Sequence, residues 1–439
     1  MQRPRMLLSG IQQKIASPLI RNAMALYSVQ GLQYVIPLIT LPWLVRALGT
    51  DGYGLLNLAG AFGGYLQVFC DYGFQLSATR TLSQQRQDPA KVSALISAVM
   101  AAKVVLATLG LCAAGLTIWA IPSFREHAGL LLLGGFGALA GSFFPSWLFQ
   151  GMEKMGSMAA LSAISRVVQL AFLLLLVHRP EHLALTLWIN ALVGVAATLC
   201  AWILAWKRFS LRLGIPSFQQ TSAVLREGFE IFLSQAGGLL FANTNVLMLG
   251  IFATPSAVGI YAIAEKIVRV GIQLGGPIGT ALYPRAALLL RQSQSEALTF
   301  LRRVLWIGSI LFGAVSFGLV LSSSLSVRLI CGHASPPIQH LIFILAPLPL
   351  TVFIDNILGT QIVLNLGHRR LFMIGPLSAG ILAILCQVIL VPRFQAVGAA
   401  LSLLLSELWI LLFFATAAWK LTRFPFHDKP QALAKVLWP

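Results

Sequence analysis

The chain has 439 residues, of which 57% are hydrophobic and only 10% charged, with a mean hydropathy of +0.82. Soluble proteins carry about 25% charged residues, so this composition excludes a globule that meets water on every side. The 31 Lys and Arg against 13 Asp and Glu give a net charge of +18, which in a soluble protein would suggest nucleic acid. Here most of the cations fall between apolar runs, so no nucleic-acid partner is expected.

The N-terminal segment carries Arg3, Arg5, Lys14 and Arg21 and leads into a long apolar run with no small-residue cleavage site. That pattern predicts a retained first helix rather than a signal peptide. A spanning helix needs roughly 20 mostly apolar residues. Twelve runs meet that need: 19–45, 52–78, 92–119, 128–150, 158–178, 183–206, 228–252, 257–284, 301–325, 338–364, 371–391 and 397–420. The second and eighth are long, polar in places and interrupted by Gly or Pro. The connections are short and leave no room for a soluble domain.

Twelve spans put both termini on one side, and the distribution of Lys and Arg says which. A cytoplasmic N-terminus places Arg80, Arg86, Lys91, Lys154, Lys207, Arg208, Arg212, Arg226, Arg285, Arg291, Arg302, Arg303, Arg369 and Arg370 inside with the N-terminal four. Lys420, Arg423, Lys429 and Lys435 join them. Outside fall only Arg46, Arg125, Arg179, Arg328 and Arg393. The fold class expected is an all-α polytopic membrane protein with both termini cytoplasmic, its cations facing anionic lipid headgroups.

Two short internal matches suggest a repeat. Gly151-Met-Glu-Lys-Met-Gly-Ser-Met-Ala-Ala-Leu-Ser-Ala163 aligns with Gly367-His-Arg-Arg-Leu-Phe-Met-Ile-Gly-Pro-Leu-Ser-Ala379. Gly54-Leu-Leu-Asn-Leu-Ala59 aligns with Gly259-Ile-Tyr-Ala-Ile-Ala264. Each pairs a span with the one six later, which is the parallel kind of transporter repeat. The expected organisation is two six-helix bundles, residues 1–212 and 213–439.

Ionisable groups inside spans are expensive and mark sites by default. Lys103, Arg166, Lys266 and Arg269 are the cations so placed, with Asp71, Glu230, Glu265, Asp355 and Glu407 as acidic company. Glu265 and Arg269 are four apart and can pair on one helical face, while Lys266 points about 100° away. That trio is either an internal salt bridge between helices or a basic lining for an anionic substrate. Lys103 has no acid within a helical turn and needs a neighbouring helix or water. Arg166 either lines a cavity or reaches the cytoplasmic interface, and Arg80 sits at a cytoplasmic helix end. Asp71-Tyr72-Gly73-Phe74 breaks the second span; Asp71 either counters a cation such as Lys103 or Arg80, or binds a coupling ion. Asn243, Thr244 and Asn245 form a polar notch in the seventh span, readable as interhelical glue.

Nothing points to catalysis. There is no phosphate-cradling Gly-Lys loop, the His residues lack metal-ligand spacing, and no cofactor or metal is expected. Cys70, Cys112, Cys200 and Cys386 lie inside apolar runs and Cys331 in a loop, so no disulfide framework is read.

Several motifs carry a family likeness. Leu41-Pro42-Trp43-Leu44-Val45-Arg46-Ala47-Leu48-Gly49 with Gly52-Tyr53-Gly54, and Asp71-Tyr72-Gly73-Phe74-Gln75-Leu76-Ser77-Ala78-Thr79-Arg80, resemble the polysaccharide/O-antigen flippase (Wzx) family. Val258 to Ile267 and Ala281-Leu282-Tyr283-Pro284-Arg285 fit its second half. This family falls in the multidrug/oligosaccharidyl-lipid/polysaccharide exporter superfamily, and the resemblance implies two six-helix bundles working by alternating access in the bacterial inner membrane. It implies an undecaprenyl-pyrophosphate-linked oligosaccharide as substrate, with membrane lipids and a polysaccharide polymerase complex as partners. Lys103, Arg166, Lys266, Arg269 and Arg80 would then bind the pyrophosphate. Asp71, Glu265 and Asp355 would balance charge or couple an ion. The competing expectation within the superfamily is an ion-coupled multidrug exporter, which calls for an acidic cavity instead. A lipid II flippase implies two more spans, and a non-transporting scaffold needs no cations at mid-bilayer.

Overall fold

The computed structural model describes residues 18–209, 211, 214–422 and 424, and their side chains apart from 18–35 and 234–243. Arg3, Arg5, Lys14, Arg212, Arg423, Lys429, Lys435 and both termini lie outside the described residues, as do the side chains of Arg21 and Asn243. Among the described residues the chain is all helix, with no strand. Seven helical segments among the described residues are long and apolar enough to cross a membrane, which makes the protein multi-pass. The fold divides into two compact units, Met1–Ala236 and Gly237–Pro439.

The first unit opens with α1 (Pro18–Asp71), a 54-residue segment split into two helices at Gly49, where φ is 72° and ψ 175°. There follow α2 (Phe74–Gln85), α3 (Pro89–Ala120), α4 (Pro122–Glu126), α5 (Ala128–Ser142), α6 (Ser146–Gly151) and α7 (Met155–Leu176). A 3₁₀ turn at Pro180–His182 leads to α8 (Leu183–Phe209), and α9 (Phe218–Phe252) begins in this unit. Local chemistry sets the boundaries. Asp88 starts α3 by accepting from the backbone N–H groups of Ala90 and Lys91, with Pro89 at the first helical position where its missing N–H costs nothing. The Lys91 N–H above all holds the Asp88 carboxyl below the usual carboxylate range. The sign follows: this cap helps at neutral pH and fades as pH falls through that lowered value.

In lipid, helices associate by close packing rather than by escape from water, so small residues line their contacts. A Cβ on Gly63 of α1 would lie 2.6 Å from the Gly134 carbonyl oxygen of α5. One on Gly134 would lie 2.6 Å from the Ala59 carbonyl oxygen. Ala59 and Gly63 are four apart, as are Gly134 and Ala138, so two small-residue faces meet backbone to backbone.

The second unit takes the rest of α9, then α10 (Pro255–Gln273), α11 (Gly275–Gln292), α12 (Gln294–Leu321) and α13 (Ser323–Cys331). It continues with α14 (Pro336–Leu345), α15 (Leu348–Asn356), a π-helix (Ile357–Leu364) and α16 (Arg369–Thr422). Thr254 caps α10 and Ser293 caps α12. Like α1, α16 is 54 residues long and splits in two, here at Gln395 with φ 47° and ψ −124°. Phe312 and Phe353 stack at 4.6 Å over Ile357 in one core cluster. Phe414 and Ile410 of α16 pack on Leu358 and Ile362 of the π-helix in another.

The structure locates the two interruptions expected in the second and eighth runs and corrects the placement of Cys331. The second run stops at Asp71, because Tyr72 (φ 43°) and Gly73 (φ 76°) turn left-handed before α2. The eighth run is two helices meeting at Leu274, just before Gly275, Gly276 and Pro277. Cys331 is the buried last residue of α13 rather than a loop residue, with left-handed Gly332 stopping the helix behind it.

Gly134→Leu should force α1 and α5 apart and lower the midpoint of thermal unfolding in detergent by several degrees. Gly60→Ala, at a position with nothing within 4 Å of the added carbon, should leave that midpoint unchanged.

Candidate functional site

The first charged site grows out of a break in the backbone. Pro145 has no N–H, so the helix running through α5 cannot continue in register. The Phe144 N–H turns to the Gly141 carbonyl at 3.1 Å, and the Ser146 N–H to that of Phe144 at 2.9 Å. The carbonyls of Ala140, Ser142 and Phe143 are thereby released. Each finds a side chain from another helix. The Thr198 hydroxyl of α8 donates to Ala140 at 3.0 Å, and the Trp202 indole N–H to Phe143 at 2.9 Å. Lys103 of α3 sends its Nζ to the Ser142 carbonyl.

Lys103 is only 2% exposed. Its second partner is Asp71, with Nζ and Oδ1 2.7 Å apart. Asp71 ends α1 just before the left-handed pair Tyr72 and Gly73, so the sequence break delivers a carboxylate to a lysine on another helix. Tyr72 is fixed in turn by stacking on Phe232 of α9 at 4.7 Å. The structure thus joins two predicted site residues, Lys103 and Asp71, and adds the Ser142 carbonyl, which no side-chain motif could reveal.

In the second unit Glu265 and Arg269 pair across one turn of α10, Nε of the arginine lying 2.7 Å from Oε1. Asp355 of α15 and Glu407 of α16 are buried neighbours, and Glu407 also lies within electrostatic range of Arg269. Sequence spacing gave no way to pair Asp355 with Glu407, which lie 52 positions apart. Nearby in this unit, the buried Asn245 accepts from Gln387 of α16 at 2.8 Å, so this part of the polar notch ties helices together.

The remaining predicted cations are differently placed. Arg166 and Lys266 are both half-buried, and neither has a hydrogen bond or ion pair among the described residues. Arg80 is exposed and lines a cleft of about 410 Å³ with Thr81, Gln84 and Glu227. The Thr81 hydroxyl there donates to Glu227 at 3.3 Å. Sequence reading passed over the neighbouring amide network, in which Gln75 donates to Gln150 at 2.7 Å and accepts from Ser146.

An all-helical, multi-pass membrane protein with charges set inside its helices is the class these features define. Residues 19–290, more than half of the chain, match the family model described as Polysaccharide biosynthesis protein, and the chain belongs to that family. A relative from Escherichia coli strain K12, named "Putative O-antigen transporter", is 29% identical over 388 residues, covering 88% of this chain and 93% of its own. One from Haloferax volcanii, named "Probable low-salt glycan biosynthesis flippase Agl15", is 23% identical over 385 residues, covering 86% and 77%. Among solved structures, the lipid II flippase MurJ in an inward closed conformation superposes with a TM-score of 0.65 at 12% identity, covering 91% of this chain and 87% of that one. At that identity the likeness is one of fold.

Lys103→Met should destabilise the purified protein by about 3 kcal/mol or more, because it leaves Asp71 charged and unpaired. Asp71→Asn with Lys103→Met should cost less than Lys103→Met alone. Thermal unfolding of the wild type, both single variants and the double variant checks this; a double variant no better than Lys103→Met would mean the pair is not coupled.

Proposed function

We propose that this protein is a flippase for an undecaprenyl-pyrophosphate-linked oligosaccharide. It carries the repeat unit from the cytoplasmic to the periplasmic leaflet of the bacterial inner membrane for O-antigen, capsule or exopolysaccharide synthesis. The observation that carries this reading is the kinship with relatives named for O-antigen transport and glycan flipping, which extends over most of the chain. In it the chain spans the membrane twelve times as two six-helix halves, 1–212 and 213–439, with both termini cytoplasmic. The breaks at Gly49 and Gln395 support that count, since each divides a segment far longer than one span.

The physical task is clear. A pyrophosphate with sugars attached cannot enter hydrocarbon bare, because its charges and hydroxyls would lose their water. Lys266, Arg269 and Arg80 act as replacement partners for the phosphates while alternating access opens the path to each side in turn. Neutralising the substrate too well would trap it. Glu265 therefore competes for Arg269, and the charged group can leave. Asp355, buried beside Glu407, is the ion-coupling group of this scheme. A polymerase complex receives the flipped unit.

The test is complementation of a gene deletion, reading surface polysaccharide and the leaflet location of the lipid-linked precursor. Lys266→Ala and Arg269→Ala, at normal membrane levels, should each reduce flipping by about tenfold or more, as expected for loss of a hydrogen-bonded charge. Normal flipping by both variants would remove these cations from the site. A deletion strain with unchanged precursor distribution but new sensitivity to cationic drugs would indicate an ion-coupled multidrug exporter instead.

A further inference from the structure

The connection from α8 to α9 leaves large apolar side chains with nothing over them. Ile215 is fully exposed and Phe218 is 89% exposed. The backbone that carries them is held in place. The Trp206 indole N–H of α8 donates to the Leu211 carbonyl at 3.1 Å, and the Gly214 N–H donates to the Ser97 hydroxyl of α3 at 3.1 Å. Ser217 and Gln220 then cap α9 reciprocally. The Ser217 N–H donates to the Gln220 side-chain oxygen at 2.9 Å, and the Gln220 N–H to the Ser217 hydroxyl at 3.2 Å.

The first four turns of α9, residues 218–233, have three faces. Val224 is buried in the core cluster of the first unit. Gly228, four residues on, is also buried, and a Cβ there would lie 2.6 Å from the Tyr72 carbonyl oxygen. Gln219, Arg226 and Glu230 are seven and four positions apart and make a polar face. Phe218, Phe229 and Leu233 are eleven and four apart and return to a third side, where all three are exposed.

Contacts with neighbouring helices fix the direction of this stretch. The Cys70 thiol of α1 meets the Lys103 carbonyl of α3, which gives the two helices a common level. On the side where α8 ends, Tyr72 is two residues beyond that level and Ser97 six, or about 3 and 9 Å. The chain therefore changes depth by about 6 Å between Gly214 and Gly228, while the helix from Ser217 to Gly228 is about 16 Å long. It runs closer to the membrane plane than across it. Residues 234–252 carry no charge in the sequence and cover about 28 Å by themselves, close to a hydrocarbon core about 30 Å thick. The crossing does not need residues 218–233.

We propose that residues 215–233 are an interfacial anchor lying on an anionic lipid surface, with Ile215, Phe218, Phe229 and Leu233 entering the boundary between headgroups and acyl chains. A helix with one apolar and one polar face takes that position. Lys207 and Arg208 end α8 beside it, and Arg226 stands between its polar and apolar faces. Exposed cations so placed attract anionic headgroups, and the exposed Trp206 is of the kind enriched at that depth. The anchor requires a multi-pass protein but not the flippase reading.

The purified full chain is placed in nanodiscs of phosphatidylcholine with or without phosphatidylglycerol. Phe218→Cys, Phe229→Cys and Gln219→Cys variants are reacted with a polyethylene-glycol maleimide, which stays in water, and the gel shift is timed against a wild-type background. In anionic discs the two Phe variants should react about tenfold slower than Gln219→Cys, as burial of an apolar face in lipid requires. All three should react alike in sodium dodecyl sulfate. Adding Lys207→Glu and Arg208→Glu should speed the Phe218→Cys reaction about fivefold or more, from about 1 kcal/mol per charge. Thermal unfolding confirms that each variant keeps its fold. Equal rates for the three variants in anionic discs overturn the anchor. Protection indifferent to phosphatidylglycerol and to the charge reversals overturns the anionic surface. Protection in native membranes that vanishes in the discs overturns it in favour of a partner protein on the same face.

Discussion

In hydrocarbon no water is available to replace a missing hydrogen bond, so each backbone break must be satisfied from within the chain. The first unit shows how far that requirement reaches. One proline, Pro145, interrupts a helix and frees three carbonyls. Thr198, Lys103 and Trp202 meet them from two other helices. Because one of the three is a lysine, the repair brings a charge into the core, and that charge demands Asp71. The position of Asp71 depends in turn on the left-handed turn at Tyr72 and Gly73. A backbone defect, its repair and an ion pair form one connected unit.

Much of this was legible in the sequence, for identifiable reasons. Helix content follows from apolar runs of spanning length, and the break at Asp71-Tyr72-Gly73-Phe74 from a glycine among polar residues. The Glu265–Arg269 pair follows from helical periodicity alone. What could not be read depends on which helices lie side by side. Lys103 needed a partner from another helix or water, and no one-dimensional pattern says whether Asp71 counters Lys103 or Arg80. Glu407 joins Asp355 only because α15 and α16 meet. The carbonyl of Ser142 is invisible to any argument from side chains, although Pro145 marks where such carbonyls must be.

The same logic sorts the cations that the sequence treats alike. All four intramembrane cations, Lys103, Arg166, Lys266 and Arg269, carry equal formal charge. Their surroundings divide them. Lys103 is enclosed, doubly bonded and matched by a carboxylate, so its charge is spent on holding α1, α3 and α5 together. Arg269 is matched by Glu265 yet nearly half exposed, so its pairing can be exchanged at small cost. Arg166 and Lys266 have no ion pair among the described residues, and their charge remains available.

This gradation matters for the transport proposed above. A flippase that bound pyrophosphate only through unmatched cations would hold it too tightly to release, since a buried ion pair is costly to separate once formed. One whose cations were all matched would give the headgroup nothing in place of water. In the proposed scheme, cations with internal competitors and cations without them would together provide both a reason to enter and a route to leave.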